Sequence, residues 1–472
     1  AILWSALQLQ AIGSYSNIII QIRNKKYASL ILNKKEKQSN YLFLGKHADM
    51  KKTGYLIIFF LTVIAGAAQN TPAGKLLAGA AEAVINPPNE SFLAGYDQNR
   101  RSTGVHDNLY VKAVVIANRV NALALVTIDC IGLPYPVVQQ IRDAVELKLP
   151  GDVFNAGHII ISSTHTHSGP DVIGIWGRDM MHTGTDSAYI RFLVKTTAEV
   201  IEKAWKRRQT AVAKYADTIF GEGWVENVSD STEIDRTVSI VQFTTSGGKN
   251  IATLTNFACH PTFLGRENTL VSADFPSGFY KQMKKNAGGI NLYVQGAIGG
   301  WIQPEKVART FEEAENRGSA LAAAVTVALK QAKKLQGNAI SFSSTRFEMP
   351  VSNKGFRQMA GGGIINRDIS DGTPTEIAWF SIGNAVFATH PGETSPLYSF
   401  ATKALMTNNG PKFVIGLGLD ELGYILKPDF FDPLTKLHAA PYLTGMSPGE
   451  SAGAAMMQVL KELAGKHDGI AE

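Results

Sequence analysis

Residues 162–171 read SSTHTHSGPD, two histidines one residue apart, between an apolar run and a Gly-Pro turn. Three segments of the chain place histidine in this setting. His165 and His167 precede Gly169-Pro170, His260 closes NFACHPT just before Pro261, and His390 closes NAVFATHPGE just before Pro391-Gly392-Glu393. Neutral imidazoles joined by a carboxylate suit zinc, and a site of three or four such ligands is catalytic when one position stays open to water. Side chains at i and i+2 of an extended segment point the same way, so His165 and His167 are expected to face one cleft. The plainer reading of any one of them is a hydrogen-bonded loop residue, and H-x-H is too short to specify a metal by itself. Spacing alone therefore leaves a metal hydrolase and a set of structural histidines both open. His158 begins an apolar run and reads as structural, while His106, His182, His438 and His467 lie in loop or terminal contexts with no obvious partner.

These residues need elements to hold them. β-Branched and apolar runs bounded by turn residues predict strands at 110–117, 123–130, 158–163, 211–216, 238–244, 251–258, 292–295, 340–347, 377–382, 385–389 and 413–419. Helical periodicity predicts helices at 136–147, 187–208, 276–285, 311–335, 396–406 and 447–463. The uneven alternation indicates a layered mixed α/β protein rather than a regular barrel. Each candidate histidine falls at a strand end, where ligands of α/β sheets usually sit.

Composition is globular: 472 residues, 45% hydrophobic and 18% charged. The formal charge of +6 is misleading. Residues 1–49 carry seven Lys/Arg against two Asp/Glu, and Lys51-Lys52 add two more positive charges, so the remainder stands near −1. Nucleic acid and acidic lipid are therefore not expected partners. From Met50 the sequence reads MKKTGYLIIFFLTVIAGAAQ, a charged start, a short apolar stretch and a small-residue cleavage pattern. That is the form of a secretory signal peptide, too short for a membrane span. The expected organisation is upstream translation over 1–49, a signal peptide over 50–68, and one catalytic domain over 69–472. The mature protein would be secreted or periplasmic, with no stable membrane span. Cys130 and Cys259 sit in apolar, strand-like contexts and read as two buried small hydrophobes.

Several segments together resemble the neutral ceramidase family of zinc amidohydrolases: GYDQNRRSTGVHDNLYVKAVVI, STHTHSGPD, NFACHPT, THPGETS and GLGLDELGYILKP, in family order between about residues 80 and 460. The resemblance implies an α/β fold of two packed mixed β-sheets flanked by helices. It implies zinc (Zn2+) as cofactor, with His165, His260, Glu393 and Tyr424 as its ligands. His167 would stay off the metal and face the substrate as hydrogen-bond donor or proton carrier. Gly299 and Trp301 would line the substrate channel, and Asp129 would orient a ligand histidine. The implied reaction is cleavage of an acyl amide, ceramide-like, by zinc-activated water.

The sequence departs from that pattern in three places. Where family ceramidases carry a serine, the loop QGAIGGWIQP places Gly299, so no serine nucleophile is expected. The NRS segment of the family reads Asn227-Val228-Ser229, without its arginine. The chain is further expected to be a short member lacking the family's C-terminal β-sandwich. These departures keep two alternatives in view: a zinc-dependent carboxylesterase or lactonase on the same site, and an inactive binding protein on the same fold. A competing motif, GESAG at 449–453, has the form of an α/β-hydrolase nucleophile elbow. It lacks the strand that should precede it, and reads instead as the start of a helix, with Ser447-Pro448-Gly449-Glu450 as a capping box.

Overall fold

The computed structural model describes residues 74–305 and 308–468. The upstream segment and the signal peptide expected from the sequence lie outside the described residues. Two mixed sheets form the centre. The larger has nine strands, and its main path runs Ile290–Gln295, Asn250–Phe257, Thr237–Thr245, Gln209–Ile219, Leu77–Val84, Tyr110–Ala117, Ala122–Ile128 and Ile159–Ser163, with Lys333–Lys334 beside Gln209–Ile219. The smaller has four: Ile340–Pro350, Gly372–Ile382, Ala385–Thr389 and Lys412–Ile415. Most neighbours are antiparallel. Three pairs are parallel: Ile290–Gln295 with Asn250–Phe257, Ala122–Ile128 with Ile159–Ser163, and Ala385–Thr389 with Lys412–Ile415. The strands that lead to the candidate site residues all come from these pairs.

The inner faces of the two sheets share one core. Leu125, Ile160, Leu254 and Val294 of the large sheet meet Phe380, Phe387, Phe413 and Ile415 of the small one. Phe380, Phe387 and Phe413 are cross-strand partners whose rings stack at centroid spacings of 4.7 and 4.3 Å. Such pairs on one face fix strand register as well as burying area. Helices Tyr135–Glu146 and Ser187–Lys206 pack together, the second against the large sheet. Helices Phe275–Ala287 and Phe311–Leu329 form another pair beside it, and Ser451–Asp468 covers the small sheet. This is the helix–sheet–sheet–helix layering expected from the family resemblance.

Local differences from the sequence reading have physical causes. Strand Leu77–Val84 (LAGAAEAV) was not predicted, because alanine and glycine are poor strand formers. It forms by pairing along its whole length with Tyr110–Ala117, and Gly79 lets the end of helix Ser187–Lys206 approach so closely that a Cβ would strike the Ala204 carbonyl. The helix begun at Phe311 ends at Leu329 rather than 335, since Lys333–Lys334 joins the large sheet. The last helix begins at Ser451, four residues beyond the expected start, and Ser447 Oγ accepts from the Gly449 amide instead of forming the capping box. Ser451 is exposed on the first turn of that helix, with no strand before it, so GESAG is not an elbow.

Candidate functional site

His165 follows strand Ile159–Ser163, and the chain turns sharply there. His165 adopts φ +70, the left-handed region that non-glycine residues rarely occupy. Its backbone N–H donates to the Cys130 carbonyl, and its Nδ1–H donates to the Ile131 carbonyl at 2.6 Å. His165 and His167 do face one cavity, with ring centroids 4.9 Å apart. The cause is this turn, not the extended i, i+2 geometry expected. His260 follows strand Asn250–Phe257 and is fully buried, its Nδ1–H donating to the Ile302 carbonyl at 2.6 Å. Glu393 follows strand Ala385–Thr389 across Gly392, whose φ of +141 only glycine readily adopts. Glu393 then pairs directly with Tyr424 in a short parallel ladder, and the two side chains are hydrogen-bonded.

The three imidazoles and the carboxylate converge. His260 Nε2 lies 3.0 Å and His165 Nε2 3.6 Å from Glu393 Oε2. One nitrogen from each of His165, His167 and His260 lies within 4.8 Å of the others. Backbone carbonyls fix the tautomer: with Nδ1–H donated to Ile131 and to Ile302, each Nε2 of a neutral ring presents a lone pair. Both lone pairs point at a carboxylate oxygen, which is also an acceptor. A cation between them satisfies all three, and anchoring of the distal ring nitrogen is the usual support of metal-binding histidines. Burial pushes His165 down to about 4, outweighing the nearby Glu393, and drives His167 well below its ordinary value, with His165, His260 and Arg100 adding to the effect. Burial alone would raise Glu393, but His165, His260 and Tyr424 hold it below the usual carboxylate range. Two imidazole nitrogens facing a carboxylate form a donor set of the kind zinc takes.

His167 differs from its neighbours. Both of its ring nitrogens are buried without a partner. Tyr96 packs edge-on against the ring at 4.9 Å, and the Arg100 guanidinium grips the His167 carbonyl from behind. Gly95 (φ +97) leaves room for the ring, which a Cβ there would strike.

Several supporting residues were missed in the sequence. Gln295 is fully buried; its Nε2 donates to the Thr164 and Cys259 carbonyls, and its Oε1 accepts from the Cys259 amide. One side chain thus ties together the loops carrying His165 and His260. A buried glutamine at a strand end is the only signal, and it is weak. Glu421, three residues before Tyr424, lines the same cavity as the cluster.

A cleft of about 770 Å³, part of it open to solvent, lies beside the cluster. Ile173, Ile175, Trp176, Phe356, Ile369 and Met446 supply apolar walls, with Arg367 and Glu421 among the few charged groups. Gly299 and Trp301 are not among its lining residues. Gly299 is pressed against the backbone of Glu393–Ser395, where a Cβ would come within 2.7 Å of the Ser395 nitrogen, so this position has no room for a side chain. Trp301 stacks on Tyr442, which does line the cavity, and so acts at one remove. Asp129 does not orient a histidine: it accepts from the Tyr110 amide and the Tyr280 hydroxyl. His390 is buried elsewhere, with a threonine hydroxyl against each ring nitrogen. Cys130 and Cys259 are buried free thiols.

Among the described residues no helix is long and apolar enough to cross a membrane. Residues 77–281 match the sequence model of the family described as neutral/alkaline non-lysosomal ceramidase, N-terminal. A neutral ceramidase of Pseudomonas aeruginosa is 22% identical over 205 residues, 39% of this chain and 30% of that protein. The chain thus aligns with less than a third of that relative's length. The crystal structure of neutral ceramidase from Pseudomonas aeruginosa superimposes with a TM-score of 0.69 at 17% identity, covering 83% of this chain and 74% of the other. A ceramidase complexed with C2 gives the same score and identity over 75% of its length. The matched segment is thus similar in sequence to the neutral ceramidases, and the likeness of fold extends beyond it over most of the described chain.

Proposed function

We propose that the chain is an exported zinc-dependent hydrolase that cleaves an acyl amide of the N-acylsphingosine type. Residues from about 69 onward would form its catalytic domain and 50–68 its signal peptide. One observation carries the reading: the Nε2 lone pairs of His165 and His260, set by the Ile131 and Ile302 carbonyls, converge on Glu393 at the wall of an apolar cavity.

His165, His260 and Glu393 would hold the zinc, with Tyr424 as a fourth, phenolic ligand. Bound there, zinc supplies a Lewis acid and a water whose pKa falls from about 16 to about 7. The chain's own residues do the rest. The apolar walls take an acyl chain and exclude bulk water. His167, neutral and with both nitrogens free, donates one N–H to the oxygen that gains charge as the carbonyl is attacked. Its other nitrogen, a lone pair, can take a proton from the attacking water and pass it to the leaving nitrogen. Gly299 offers no hydroxyl, so the nucleophile is water rather than an enzyme serine.

The test is hydrolysis of a long-chain N-acylsphingosine beside an ester of the same acyl chain, before chelation, after it, and after zinc is returned. Amide cleavage that disappears on chelation and returns with zinc is expected. No cleavage of either substrate at full zinc loading would reject the reading.

A further inference from the structure

Glu421 is a buried carboxyl that the metal cluster does not use. Its Oε1 accepts from the Gly423 amide at 2.7 Å, while Oε2 is buried with no partner. Arg367, the cation that lines the same cavity, is already taken: Asp420 binds that guanidinium through both oxygens, at 2.8 and 3.0 Å. The Glu421 side chain packs flat on Gly132, where a Cβ would come within 2.6 Å of Glu421 Cγ, so its rotamer is held. Gly132 follows Ile131, whose carbonyl anchors His165. Glu421 and the cluster therefore stand on one rigid wall of the cavity. Buried acceptors are rarely left unpaired, and one held in place at a ligand cavity is complementary to a donor on the ligand.

We propose that Glu421 is the residue that reads the scissile group: its Oε2 accepts a hydrogen bond from the substrate N–H, so that the cavity takes a secondary amide in preference to the matching ester. The proposal rests on the amide-hydrolase reading above and deepens it. An amide and its ester differ at this point only by N–H against O. A site built to bond an N–H rejects the analogue lacking it, because its own acceptor is then left unpaired.

The test compares N-butyl decanamide with butyl decanoate. Binding to the purified chain, treated with chelator so that no turnover intervenes, is measured by calorimetry. Initial rates are measured after zinc is returned. Glu421→Gln is the informative variant. Its Oε1 keeps the Gly423 amide, and an NH2 group then replaces the Oε2 acceptor by a donor. The wild-type chain is expected to bind the amide about tenfold or more tighter than the ester. Glu421→Gln should weaken the amide about 10- to 100-fold, leave the ester within a factor of about three, and bind as much zinc as wild type. Glu421→Asp, which keeps an acceptor, should retain part of the preference. Thermal melting of both variants separates loss of fold from loss of recognition. Equal binding of amide and ester by the wild type, binding of neither, or an equal loss of both in Glu421→Gln would overturn the proposal. Hydrolysis without the preference removes Glu421 from its role and keeps the hydrolase. The preference without hydrolysis does the reverse.

Discussion

His260 and His390 look alike in sequence and stand in opposite surroundings in the molecule. Each closes an apolar strand and precedes a proline, in NFACHPT and NAVFATHPGE. Both rings are fully buried. At His390 the hydroxyls of Thr394 and Thr402 stand 2.9 and 3.0 Å from Nδ1 and Nε2, and a hydroxyl can donate or accept, so either tautomer is satisfied. At His260 a carbonyl takes the Nδ1 proton, and Nε2 is left facing a carboxylate that cannot donate. What separates the two histidines is therefore the partner of the second nitrogen. The strand end and the proline do not decide it.

The comparison can be broken most directly by removing each ring. His260→Ala or His165→Ala should abolish both bound zinc and turnover, since each takes away one of three or four ligands. His390→Ala should leave zinc content and turnover per folded molecule near wild type while lowering stability by about 3 kcal/mol, from the cavity and the two stranded hydroxyls. Metal analysis of the purified variants, with urea unfolding alongside, checks both halves. Loss of zinc in His390→Ala would mean that the two histidines are not functionally distinct.

His167 sharpens the same contrast from the other side, having no partner on either nitrogen. As a group that faces substrate, it should tolerate removal of the metal question altogether. His167→Ala is expected to keep most of the zinc and to lose about 10²- to 10⁴-fold in kcat. Its nitrogen also lies within reach of His165 and His260, so the geometry admits a second grouping in which His167 binds the ion. Zinc loss in His167→Ala as complete as in His165→Ala would select that grouping. A smaller effect is expected at Gly299, where restoring a serine meets the backbone of Glu393–Ser395. Gly299→Ser should lower the melting temperature and give no gain in turnover.

Much of this arrangement was legible beforehand. Apolar and β-branched runs placed the strands that lead to His165, His260 and Glu393, because those strands are buried on both faces and have few polar interruptions. That His165, His260 and Glu393 converge was legible only through resemblance to a family, since spacing alone left His390 as good a candidate as His260. What stayed hidden depends on long-range contact. Gln295 matters because it spans from its own strand to the carbonyls of Thr164 and Cys259. Glu421 matters because Asp420, its neighbour in sequence, has claimed the arginine. No local pattern encodes either fact. Strand Leu77–Val84 escaped notice for a related reason: small residues that read poorly alone are what let a helix sit against the sheet at Gly79.

The smallest effect lies in the pH dependence of stability, and it isolates His390. Burial, with Lys403 adding to it, holds His390 down to about 3. In the unfolded chain the ring returns to about 6.5. Between those values the unfolded chain binds a proton that the native protein excludes, so acid favours unfolding. The contribution is absent above pH 6.5 and grows as pH falls toward 3, by up to about 1.4 kcal/mol per pH unit. His390→Gln fills similar space, keeps a donor and an acceptor, and cannot titrate. It should be somewhat less stable than wild type near neutrality. Its loss of stability between pH 6.5 and 4.5 should be shallower by about one proton, on the order of 2 kcal/mol over that interval. Urea unfolding of both proteins at the two pH values measures the difference. Parallel acid limbs would show that His390 protonates in the native state, and that the threonine hydroxyls do not hold it neutral.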